Sequence, residues 1–182
     1  MTYASEDLRN EHDGILFGLD ILEQMAGSAQ KPGETDIADV REMVRFLRLF
    51  ADKCHHGKEE GLLFPALEKV GVPNQDGPIG QMLLEHSQGR QLIAAMSASA
   101  EGGGLAADSF IQAATGYVRL MRAHIEKENT VLFPMGDRML PPDEQARLLD
   151  QFETFEESVI GIGVHEGLHK TLHRFGEKYL KD

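Results

Sequence analysis

An internal repeat that carries histidine and glutamate constrains this chain more than any other feature. Residues 55–65 read HHGKEEGLLFP and residues 124–134 read HIEKENTVLFP, so both contain His-x-x-x-Glu followed by Leu-Phe-Pro. A further histidine lies well upstream of each copy. Because a repeat fixes the architecture of a chain, this pattern predicts two related helical hairpins. The residues concerned are His12, His55 and Glu59 in the first hairpin and His86, His124 and Glu128 in the second.

The rest of the chain predicts an all-α fold. Apolar residues recur at helical spacing, and no run alternates as a half-buried strand does. Glycine and proline clusters divide the chain into helices at about 5–26, 35–70, 78–101 and 105–135. Short connections between helices of this length make antiparallel neighbours, so we expect an up-down-up-down four-helix bundle.

A helical tail follows the fourth helix. Its apolar pattern predicts further helices at about 142–157 and 164–180, packed on the outside of the bundle. We therefore expect a bundle domain of about residues 1–136 and a C-terminal helical extension of about residues 137–182.

Composition excludes several classes of function. The 182 residues carry a formal net charge of −12, which disfavours binding to nucleic acid or to an anionic membrane. The single cysteine, Cys54, fits a reducing compartment. No secretory signal pattern or membrane-spanning apolar run is visible, so a cytoplasmic protein is expected.

The six repeated donors point to bound metal. A side chain four residues on returns to the same helical face, so each His-x-x-x-Glu pair can face the bundle centre. Buried carboxylates and imidazoles without partners are costly, and cations between them remove that cost. Imidazole and carboxylate without thiolate favour iron or manganese, and iron is the preferred reading.

Six donors are more than one tetrahedral ion needs. Two metal ions bridged by both glutamates, each with two terminal histidines, would use all six and keep coordination positions open. A bridging oxide or hydroxide would offset the added charge of the oxidised ions. Such positions inside an apolar bundle admit small diatomics. No general acid, nucleophile, organic cofactor site or organic-substrate pocket is visible, so we assign no catalytic residues.

The repeated motif with its upstream histidines resembles the hemerythrin-like (HHE cation-binding) family over about residues 5–136. The resemblance implies an antiparallel four-helix bundle around a non-haem di-iron centre. Carried over residue by residue, the implied iron ligands are His12, His55, Glu59, His86, His124 and Glu128.

Two positions depart from the oxygen-carrying members that the chain resembles. Arg90 stands where they place another histidine, and Asn129 stands where they place an aspartate. The glutamate pair is similar to that of bacterial hemerythrin-like proteins. We therefore expect binding of, or reaction with, oxygen, nitric oxide or peroxide in sensing or protection, with an unknown redox partner. The alternatives are an iron donor for iron–sulfur cluster repair and a purely structural metal.

A second reading of the first motif shifts it by one residue. His56-x-x-x-Glu60 has the same spacing as His55-x-x-x-Glu59. Residue 56 lies about 100° round an α-helix from residue 55, and Ile125 replaces its counterpart in the second copy. We therefore favour His55 and Glu59 as ligands, and expect His56 to face solvent or to support a ligand.

The tail contains His165-Glu166-Gly167-Leu168-His169, formally the pattern of zinc metalloproteases. No cleft-forming segment accompanies it, and Gly167 weakens the helix, so an amphipathic helix face is the preferred reading. His165 as a further iron ligand remains open, as do the roles of His169 and His173. A ferritin-like site is disfavoured, because it needs two Glu-x-x-His pairs and the chain has one.

Overall fold

The computed structural model of the protein describes residues 2–31, 33–161 and 163–180. All of its regular elements within those ranges are helices, which confirms the all-α class. Helices α1 (Ala4–Ser28), α3 (Pro78–Ser99), α5 (Pro142–Val159) and α6 (Val164–Tyr179) are α-helical throughout. Helix α2 covers residues 37–69 and helix α4 covers residues 107–139, and each contains wider, π-helical turns. All six helices lie close to their predicted positions.

The wide turns of α2 and α4 precede the Phe-Pro step of each repeat. In α2 they span Leu47–His56 and Glu59–Leu63, and in α4 they span Glu128–Leu132. Proline lacks an amide hydrogen and its ring crowds the carbonyl four residues earlier, which disturbs the α-helical ladder at Glu59–Leu63 and Glu128–Leu132 but does not reach Leu47–His56. Bonding to the fifth residue relieves that clash, and such turns are frequent at functional sites. The helices continue past Pro65 and Pro134.

Apolar side chains form two cores with a polar layer between them. The first core contains Leu22, Phe46 and Met96, and the second contains Leu8 and Phe64. Along each of α1 to α4, the histidine of the repeat falls between residues of the two cores. On α1, for example, His12 lies between Leu8 of the second core and Ile15 of the first. The predicted donors therefore share one level of the molecule.

The two C-terminal helices complete both cores. Helix α5 contributes Leu148 and Phe152 to the second core, and helix α6 contributes Leu168, Leu172 and Phe175 to the first. Both helices contact α1. No helix in the described ranges is at once long enough and apolar enough to cross a membrane.

Candidate metal centre

All six predicted donors come together in the buried interior. Each is at most 1 % exposed. Together with His56, they form two groups, and within each group one donor atom from every residue lies within 4.8 Å of the others. The first group contains His12, His55, Glu59 and Glu128, and the second contains His56, Glu59, His86 and His124. Glu59 belongs to both groups, as a bridging carboxylate would.

Each glutamate stands between a histidine of one hairpin and a histidine of the other. Oε2 of Glu128 lies 3.2 Å from Nε2 of His12 and 3.2 Å from Nε2 of His124. Oε1 of Glu59 lies 3.6 Å from Nε2 of His55, and its Oε2 lies 3.3 Å from Nε2 of His86. The two carboxylates therefore link two pairs of histidines.

A polar acceptor holds the outer nitrogen, Nδ1, of each of these four histidines. The pairs are His55 with Glu11 (2.8 Å), His124 with Glu85 (2.9 Å), His86 with Glu60 (2.8 Å) and His12 with Asn129 (2.9 Å). A carboxylate or amide oxygen only accepts, so Nδ1 donates and a neutral imidazole keeps its lone pair on Nε2. This arrangement orients metal-binding histidines, and all four Nε2 atoms face the cluster.

The four acceptors occupy matching positions in the two hairpins, although sequence reasoning did not identify them. Glu11 and Glu85 directly precede His12 and His86, and each accepts from the second histidine of its own hairpin. Glu60 and Asn129 directly follow Glu59 and Glu128, and each accepts from the first histidine of the opposite hairpin. Lys58 and Lys127, which are equivalent in the repeat, donate to Glu11 and Glu85. The shared Glu-His pairs at 11–12 and 85–86 are the sequence signal that could have singled out Glu11 and Glu85, whereas Glu60 and Asn129 differ in residue type and give no such signal.

The residues fit a pair of cations. Nε2 of His86 lies 3.2 Å from Nε2 of His124, and both imidazoles already donate through Nδ1. Two neutral imidazoles so placed would direct lone pairs at each other. Nε2 of His12, Nε2 of His55 and all four oxygens of Glu59 and Glu128 make no hydrogen bond within the described chain. Buried acceptors without partners are costly, and cations between them would satisfy them.

Charge within the cluster favours cationic occupants. Burial alone lowers the pKa of His124, but the negative charge of Glu128 and the hydrogen bond to Glu85 outweigh burial and raise that pKa to about 10. A proton thus takes the place of a cation when none is bound. Metal ligands must shed such protons, so metal binding here releases protons.

The expectation that His56 faces solvent is wrong. His56 is 3 % exposed, and its ring stacks on that of His86 with centroids 3.8 Å apart. In the wide turns of α2 the angle between neighbouring residues is smaller than the about 100° of an α-helix. His55 and His56 therefore both reach the interior. Glu60 stays at the rim, where it accepts from His86 and Arg90.

The tail histidines are not brought to the cluster. Nδ1 of His165 lies 3.2 Å from Oε1 of Glu156, and its ring stacks on Phe50. Nε2 of His169 lies 3.1 Å from Nε2 of His165. Neither residue is in the two donor groups described above. Cys54 is buried, and burial raises the pKa of its thiol to about 12.

Comparison with known proteins supports this reading of the cluster. The family described as Hemerythrin HHE cation binding domain matches residues 3–136. The chain is 28% identical over 158 residues to an uncharacterized protein of Mycobacterium bovis and to uncharacterized proteins of two Mycobacterium tuberculosis strains. Each alignment covers 85% of this chain and 60% of the relative, so the chain spans about three fifths of the length of these proteins. No solved structure matches it.

The family match covers both copies of the repeat and every predicted donor. It ends before α5 begins at Pro142, so the two C-terminal helices lie outside it. The chain belongs to the hemerythrin HHE cation-binding family.

Proposed function

We propose that the chain binds two non-haem iron ions between its two hairpins. The first hairpin is α1 with α2, and the second is α3 with α4; together they form an antiparallel four-helix bundle with α5 and α6 outside it. The proposed ligands are His12, His55, Glu59, His86, His124 and Glu128, with the two glutamates bridging. A bridging oxide or hydroxide would balance the charge of the oxidised ions. Imidazole and carboxylate ligands without thiolate suit iron.

One observation carries this proposal: four oriented histidines direct Nε2 at two shared carboxylates. Nδ1 of each histidine is already committed to an acceptor, so Nε2 remains free to act as a ligand. Each carboxylate approaches a histidine of both hairpins. A cluster evolved only for hydrogen bonding would not direct so many acceptors at one another.

The surroundings of the cluster limit what could react there. Phe133 stacks on His12 with ring centroids 5.4 Å apart, and Phe64 stacks on His86 at 5.8 Å. Both phenylalanines belong to the Leu-Phe-Pro steps and are at most 2 % exposed. These rings cover part of the cluster with buried aromatic surface. A small reactant, such as a diatomic molecule or peroxide, suits this setting better than a large one.

We propose that the protein binds or reacts with oxygen, nitric oxide or peroxide in sensing or protection. Bound iron supplies redox chemistry toward these molecules. The chain orients the ligands, keeps the site dry and balances its charge. Full burial of all six donors disfavours rapid loss of iron, so an iron donor for cluster repair is the second candidate.

The gas response of the reduced, iron-loaded protein tests this function. Anaerobic protein is mixed with oxygen or with nitric oxide, and its visible absorption is recorded. A new charge-transfer spectrum with each gas supports the proposal. A spectrum that ignores both gases contradicts it. Transfer of iron to an apo-cluster acceptor, with the fold retained, would support the iron donor instead.

A further inference from the structure

One buried histidine has no place in the symmetric scheme of two histidines for each metal ion. His56 lies beside the second donor group, stacked on His86 and edge-on to His124 with ring centroids 5.5 Å apart. The donor atoms of His56, Glu59, His86 and His124 all lie within 4.8 Å of one another. His56 therefore meets the same geometric condition as the histidines of the repeat.

Nδ1 of His56 is unlike Nδ1 of the neighbouring histidines, each of which has an acceptor. Nδ1 of His56 is buried and makes no hydrogen bond within the described chain. Oδ1 of Asp52 lies 3.7 Å from Nδ1 of His56, too far for a hydrogen bond, and already accepts from Nε of Arg90 at 2.7 Å. A buried imidazole without a partner on Nδ1 is costly. Coordination of a metal ion through Nδ1 would offset this cost.

The second hairpin has no histidine at the position equivalent to His56. Ile125 stands at the matching position of the repeat and joins the first apolar core. The wide turn of α4 begins only at Glu128, so residue 125 still lies in regular α-helix. In α2 the wide turn includes residue 56 itself. The local helix geometry thus adds a histidine at one end of the cluster only.

We propose that His56 is a third histidine ligand of the metal position bounded by His86 and His124, which makes the two positions unequal. This inference rests on the proposed function. The first position has His12 and His55 with the shared glutamates. The second has three imidazoles with the same glutamates, and it binds Fe(II) more tightly for that reason.

Anaerobic titration of the metal-free full chain with Fe(II), against a competing chelator, tests this inference. Wild type is expected to bind two ions with unequal affinities. His56→Ala, and the closer substitute His56→Gln, should each lower the tighter affinity by at least about tenfold, the scale set by loss of even a supporting residue. Helical circular dichroism of the metal-free variants confirms that they fold.

His173→Ala is the matched control, because the side chain of His173 is 80% exposed and lies outside the donor groups. It should leave both affinities unchanged. Wild-type affinities in both folded His56 variants would overturn the inference. The number of ions bound by wild type tests the di-iron proposal separately. If wild type binds one ion, the effect of the His56 variants on the affinity for that ion still decides the inference. If wild type binds no iron, both the His56 inference and the di-iron proposal are overturned.

Discussion

The outer partners of the cluster histidines set how well each imidazole can serve as a ligand. Three of the four are carboxylates, and the fourth, Asn129, is a neutral amide. A carboxylate both orients the ring and increases its basicity. Both repeat histidines of the second hairpin donate to carboxylates. This difference in partners is expected to strengthen the same proposed metal position that His56 would join.

Glu85→Gln tests the role of these partners. The amide keeps the shape of the side chain but weakens the charge-assisted bond to Nδ1 of His124. We expect metal affinity to fall about 10- to 100-fold, measured by chelator competition. Glu126→Gln, an exposed change on α4 two residues after His124, should have no effect. Equal affinities in the two variants would contradict a supporting role for Glu85.

Glu11 makes the stability of the metal-free protein depend on pH in the acid range. Burial raises the pKa of Glu11, but His55 and Lys58 outweigh burial and lower it from 4.5 to about 2. A lowered folded-state pKa adds stability above pH 4.5 that is lost as the pH falls toward 2. Glu11→Gln should therefore cost roughly 2–3 kcal/mol near neutral pH and progressively less below pH 4.5. Urea unfolding at several pH values measures this, and a cost independent of pH would contradict it.

The sequence predicted the six inward donors because the repeat and the four-residue spacing both apply to them. It predicted His56 poorly, since the argument assumed about 100° per residue and α2 is wider than that. Glu11 and Glu85 were within reach of sequence reasoning, as each precedes a repeat histidine. Their bonds to the other helix of the same hairpin are tertiary, and spacing within one helix does not show them.

At the scale of elements, α2 carries two of the proposed metal ligands and also packs against α5. Gly57, between the two wide turns of α2, lies under Phe155 of α5. A Cβ added there would be 2.8 Å from Cζ of Phe155. The absence of a side chain at residue 57 therefore lets α5 approach the helix that carries His55.

Gly57→Ala should loosen α5. We expect a loss of about 1–3 kcal/mol in the free energy of unfolding, because Phe155 must shift. Gly61→Ala is the matched control, since nothing lies within 4 Å of its added Cβ. The control should be neutral or gain up to about 1 kcal/mol from helix propensity. Urea unfolding compares the two, and equal stabilities would show that Phe155 does not pack as described.

Helix boundaries could be predicted because glycine and proline mark them. The tail helices were predicted too, but their partners were not. The repeat relates the two hairpins to each other and contains nothing equivalent to α5 or α6. Contacts such as that between Gly57 and Phe155 depend on tertiary docking, which no periodicity in the sequence records.

At the scale of the whole molecule, the ion pairs of Lys58 connect α2 with α1 and with α5. Its buried Nζ lies 3.1 Å from Asp7 and 2.7 Å from Glu11 on α1, and 3.2 Å from Glu156 on α5. Its repeat partner Lys127 is 41% exposed and pairs with Glu85. The two equivalent lysines therefore differ in their surroundings. Lys58 is a buried junction of three helices, and Lys127 lies at the rim of the cluster.

Lys58→Met should destabilise the protein by about 3–5 kcal/mol, because it leaves buried carboxylate without its cation. Lys127→Met should cost at most about 1 kcal/mol, since water can reach Glu85 through the space that Lys127 leaves. Thermal or urea unfolding of both variants measures the difference. Similar losses in the two variants would contradict the description of Lys58 as a buried junction.

The iron content of the protein, purified without added metal, tests the central claim most directly. The account predicts about two irons per chain, and a sharp fall in Glu59→Ala and in Glu128→Ala because each removes a bridging ligand. Glu126→Ala should keep the wild-type content. A folded wild-type protein without metal, or bridging-residue variants that retain full iron, would contradict the proposed centre.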